Sequence, residues 1–97
     1  MQNLRDIKNY RQFKVKYLGA TSRRGSRVKI YEPKRYYEDK VQSVTLPYDY
    51  EISDICQQAI NWLNENGFTK IVARCSEFEN YILLVDSWGE DYKILKQ

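Results

Sequence analysis

Apolar and polar residues alternate with period two along "QFKVKYLG": Phe13, Val15 and Tyr17 fall on one face, Lys14, Lys16 and Leu18 on the other. Such alternation, with β-branched and aromatic residues, predicts a strand with one buried face. "SRVKIYE" repeats it, with Val28 and Ile30 opposed to Arg27, Lys29 and Tyr31. Gly19 to Gly25 forms the connection, and Gly25 is expected to supply a positive φ near its end. Pro33 cannot donate to a ladder, so Pro33 to Lys40 reads as a second loop, basic and aromatic together. "VQSVTLPYD" is a third strand closed by Pro47.

"SDICQQAINWLNENGF" carries a helical stripe: Ile52, Ile55, Cys56, Ala59, Ile60 and Leu63. Ser53 is expected as its N-cap, with Asp54 favourable in the first turn. Gly67 followed by Phe68 predicts a Schellman-type end. "TKIVARCSE" and "NYILLVDSW" are two more strands joined by a turn near Glu77–Asn80. In the second, Ile82 and Leu84 alternate against Tyr81, Leu83 and Val85, so both faces are apolar and the strand belongs inside the sheet. "GEDYKILKQ" reads as a further short strand or a frayed end, and residues 1–10 as a short helix or loose arm. The order β-β-β-α-β-β predicts an α+β two-layer sandwich: an antiparallel-rich sheet of about five strands with one helix on one face. The other face meets solvent or a partner.

Ninety-seven residues suit one domain, 1–97, which buries roughly 60–70% of its unfolded surface. A hydrophobic content of 42% with 30% charged residues excludes a disordered chain. No apolar run approaches the roughly 20 residues of a membrane span, and "MQNLRDIKNYRQ" lacks the apolar core of a secretory signal. A cytoplasmic location is therefore expected. There, Cys56 and Cys75, each among apolar neighbours, are expected as buried small hydrophobes without a disulfide. The chain has no histidine, which removes the commonest general base and zinc ligand; no metal or cofactor is expected.

Charge changes the picture more. Residues 1–40 carry a net +8 and residues 41–97 a net −5. If Phe13, Val15, Val28 and Ile30 face the helix, then Lys14, Lys16, Arg27 and Lys29 gather on the opposite sheet face, within about 5–8 Å of one another. Arg23 and Arg24 extend this patch at the hairpin tip; Lys34, Arg35, Tyr36 and Tyr37 extend it at the other end. Arginine suits bidentate phosphate contact, and Tyr31, Tyr36 and Tyr37 are candidates for stacking on unpaired bases. Lysines and arginines also serve as solvated guards on edge strands, and tyrosines commonly sit at core margins. Trp62 and Trp88 are expected to flank the core. Glu77 with Glu79, or Asp86 with Glu90 and Asp91, form carboxylate pairs, but no nucleophile motif or metal-ligand spacing accompanies them, and catalysis is not expected. "GATSRRGS" lacks the Gly-Lys-Ser/Thr ending of a P-loop, although its amides and arginines suit a single phosphate.

Across "KYLGATSRRGSRVKI" the chain resembles small accessory proteins encoded by bacteriophages and other bacterial mobile elements. The pattern comprises Lys16, Tyr17, Ala20, Thr21, Gly25, Ser26, Arg27, Val28, Lys29 and Ile30; "PYDY" and "NGF" resemble the same group. The resemblance covers about half the chain and assigns no residue a role. It implies an accessory protein in a bacterial host's cytosol that binds nucleic acid, or that binds and disables a host defence complex. Three readings follow: a nucleic-acid-binding module; a protein-binding inhibitor of the anti-CRISPR or anti-restriction type, engaging an acidic or nucleoprotein complex; and a self-associating module, such as a dimer.

Overall fold

The structure is a computed structural model that describes residues 1–34, 41–87 and 94–96. Five strands form one antiparallel sheet: β1 (Arg11–Leu18), β2 (Arg27–Glu32), β3 (Gln42–Pro47), β4 (Ile71–Glu77) and β5 (Asn80–Val85). Their spatial order is β3-β2-β1-β5-β4. The expected α+β two-layer sandwich is therefore present. A single turn of 3-10 helix, Leu4–Asp6, precedes the sheet and buries nothing. β5, apolar on both faces, lies inside the sheet between β1 and β4, as its pattern predicts.

Helix α1 (Ile55–Glu65) packs over β1 and β2. Phe13, Val15, Val28, Ile30, Val44, Leu46, Leu83 and Val85 of the sheet meet Cys56, Ala59 and Leu63 of the helix. Phe68 closes one end, its ring edge-on to Phe13 at 5.1 Å between centroids. Leu95 returns to this core, its N–H donating to the Gln42 side chain at 3.0 Å. Residues 88–93, with Trp88, Glu90 and Asp91 among them, and residue 97 lie outside the described residues. Trp62 packs at the core margin as expected.

The helix ends are built differently. Asp54, not Ser53, is the N-cap; its carboxylate accepts from the Cys56 and Gln57 N–H groups. Ser53 instead adopts a left-handed conformation, φ 61°, ending the turn that brings the chain off β3. Ile52 consequently falls outside the helix. At the other end the Schellman motif forms: Gly67 has φ 93°, and the Phe68 N–H reaches the Leu63 carbonyl at 2.9 Å. Gly25 has no positive φ, contrary to expectation; a side chain at that position would meet open space.

Buried Gln58 fastens the helix to the sheet, donating to the Pro47 carbonyl at 2.6 Å and accepting from the Asp49 N–H at 3.0 Å. More consequential is an ion pair inside the sandwich. Arg11 and Glu32 share the parity of Phe13 and Ile30, so both point under the helix. Two hydrogen bonds join them, at 2.6 and 2.9 Å. The guanidinium lies 5.0 Å from the Phe13 ring centre and 5.3 Å from that of Phe68.

Both cysteines are free, but only Cys56 is buried; Cys75 is exposed on β4. Burial pushes the Cys56 thiol up, outweighing a hydrogen bond from Arg74 that acts the other way. With the folded-state value raised, the unfolded chain loses the proton first as pH rises. Stability is then unaffected by this thiol below the ordinary thiol range and falls above it. Melting temperatures recorded across that range should decline more steeply for the native chain than for Cys56→Ala.

Candidate functional site

The strand registers decide where the basic residues go. Lys16 lies directly opposite Lys29, Leu18 opposite Arg27, and Lys14 opposite Tyr31. Across the next ladder Lys29 faces Thr45 and Arg27 faces Pro47. Since Val15, Val28 and Ile30 are fully buried beneath the helix, strand alternation puts Lys14, Lys16, Arg27 and Lys29 together on the opposite face. That face carries no helix among the described residues.

Like charges opposed across a ladder are destabilising. The offsets are few. Lys14 reaches Glu77 at 3.7 Å, and Lys29 sits over the Tyr31 ring, 5.3 Å from its centre. Lys16, exposed and facing Lys29, has no ion-pair partner among the described residues. Glu77 is thereby engaged by a lysine rather than held free to pair with Glu79. Farther along the same face the sheet turns apolar: Ile82 lies opposite Lys14 on one side and Cys75 on the other, while Leu84 lies between Gln12 and Ala73.

At the hairpin tip Arg23 and Arg24 are exposed. Their backbone is turned inward. The Thr21 N–H donates to the Arg24 carbonyl at 2.7 Å, while the Thr21 hydroxyl accepts from the N–H groups of Arg23 and Arg24 at 3.4 and 3.1 Å. These two amides are thus unavailable for the phosphate cradle the sequence suggested, and any anion contact here falls to side chains. Between this loop and the end of β3 opens a cleft of about 360 Å³, lined by Arg24, Gly25, Ser26, Arg27, Thr45, Leu46 and Pro47. The Tyr48 N–H donates to the Ser26 carbonyl at 3.0 Å and holds loop and strand end together.

Lys34 is exposed beyond Pro33, at the end of β2 remote from this loop. Arg35, Tyr36 and Tyr37 lie outside the described residues. Tyr31 is on the basic face but half-buried, with Lys29 over its ring. A different aromatic cluster went unpredicted. Tyr17, Tyr48 and Tyr50 meet edge to face, with centroids at 5.7 and 4.8 Å, on the helix side of the hairpin. The Tyr17 hydroxyl is 2.7 Å from Ser26 Oγ, so this cluster abuts the cleft loop from behind. Its signal was the parity of Tyr17 with the buried Phe13 and Val15.

No family model, curated protein or solved structure matches the chain. Among the described residues no helix is long and apolar enough to cross a membrane.

Proposed function

We propose that the protein binds nucleic acid through the uncovered face of β1 and β2, as an accessory protein of a mobile element in a bacterial cytosol. The observation that carries the reading is the direct opposition of Lys16 and Lys29, flanked by Lys14 and Arg27. Lysines that guard against aggregation belong on edge strands. β1 and β2 are interior strands, hydrogen-bonded on both sides, with β3 and β4 at the edges. Guarding therefore does not account for the cluster, whereas a polyanion that offsets the repulsion does. The role is one of binding, with no reaction assigned.

A second reading rests on the apolar half of the same face. Ile82 and Leu84 beside a basic strip, with Phe78 exposed at the β4–β5 turn, suit a protein or nucleoprotein surface of a host defence complex. Fluorescence polarisation with labelled single- and double-stranded DNA and RNA separates the two. Four cationic contacts predict an affinity that falls about 50- to 150-fold between about 50 and 200 mM salt. Failure to bind any of these probes at low salt overturns the nucleic-acid reading and favours a protein partner.

A further inference from the structure

Among the described residues, two buried guanidinium nitrogens lack a hydrogen-bond partner: Arg11 Nη1 and Arg27 Nε. Their settings differ. The Arg11 guanidinium is already held by both Glu32 oxygens beneath the helix. Arg27 forms part of the wall of the cleft between the hairpin loop and β3. An N–H donor withdrawn from water without an acceptor costs free energy, and the residue that carries it also borders a cavity open to an acceptor.

The rest of the lining specifies that acceptor. A second arginine, Arg24, shares the wall, and among the described residues no aspartate or glutamate does. Arginine presents its donors as a fork matched to phosphate oxygens, which lysine does not. Leu46 and Pro47 supply apolar wall, and about 360 Å³ falls in the size range of small-ligand sites, larger than one phosphate needs. We infer that this cleft is a discrete phosphate-binding site: the guanidinium groups of Arg27 and Arg24 hold one phosphate group, and the sugar or base attached to it lies along Leu46 and Pro47. The inference rests on the nucleic-acid reading for the source of the phosphate, and it divides the basic face into a diffuse lysine strip and one specific pocket.

The test uses the side-chain Nε–H signals of the whole protein in a proton–nitrogen correlation spectrum, with the Arg27 signal assigned by its loss in Arg27→Lys. Inorganic phosphate, a nucleoside 5′-monophosphate and a short single-stranded oligonucleotide are titrated separately. The Arg27 Nε–H signal should move saturably with all three, most tightly with the oligonucleotide. Arg27→Lys, which keeps the charge and loses the fork, should weaken oligonucleotide binding about tenfold. If the oligonucleotide binds while the Arg27 signal stays still and Arg27→Lys binds normally, the pocket is refuted and the nucleic-acid reading survives. If phosphate and the mononucleotide move the signal while oligonucleotides fail to bind, the pocket stands, its ligand is a free phosphorylated molecule, and the nucleic-acid reading falls. An unmoved signal with every probe refutes the pocket.

Discussion

Replacing Glu32 by alanine should unfold most of the protein's margin of stability, with a loss of about 3–5 kcal/mol against a total of about 5–15 kcal/mol for a typical domain. Arg11 and Glu32 are both buried, their side chains 1% and 6% exposed. Removing the carboxylate strands a guanidinium between two phenylalanine rings and the helix, where water cannot reach it. The loss comes from that uncompensated charge, not from the worth of the pair. Replacing both partners by apolar residues, Arg11→Met with Glu32→Leu, should therefore recover much of the stability. Urea denaturation of the single and double variants checks this; equal losses in both would show that the pair itself stabilises the fold.

The second expectation has opposite signs for folding and binding. Lys16→Glu places a carboxylate directly opposite Lys29 and turns a repulsive cross-strand pair into an attractive one. The fold should gain about 0.2–1 kcal/mol. Nucleic-acid binding should weaken, because a phosphate contact is lost and a negative charge enters the strip. A surface that becomes more stable and less functional on the same substitution is one whose composition answers to a partner. Lys14→Glu is the less informative change, since it also breaks the contact with Glu77.

Much of this was legible in the chain. Period-two alternation located β1 and β2 and assigned Lys14, Lys16, Arg27 and Lys29 to one face; Gly67 and Phe68 marked the helix end. Alternation states which face a residue occupies but not what lies over that face. α1 is 11 residues long, about 16 Å. Five strands at about 4.8 Å spacing span about 19 Å between edge axes, and the helix sits over β1 and β2 rather than the centre of that width. Cys75, apolar in its sequence context, is exposed because it pairs with Ile82 on the sheet face that the helix does not cover. The Arg11–Glu32 pair was missed for the reverse reason. Charged residues at strand ends read as solvated, although their parity with Phe13 and Ile30 pointed inward. The cleft beside Arg27 was not legible at all, because it arises from the meeting of the hairpin loop with the end of β3, a junction fixed by the Tyr48–Ser26 backbone bond.

The most direct test of the central claim is the salt dependence of oligonucleotide binding, recorded side by side for the native chain and Lys16→Glu. Cations that hold phosphates predict a steep native slope of log affinity against log salt, and a slope shallower by about one unit in the variant. Equal slopes in the two proteins would mean that the opposed lysines of β1 and β2 do not touch nucleic acid.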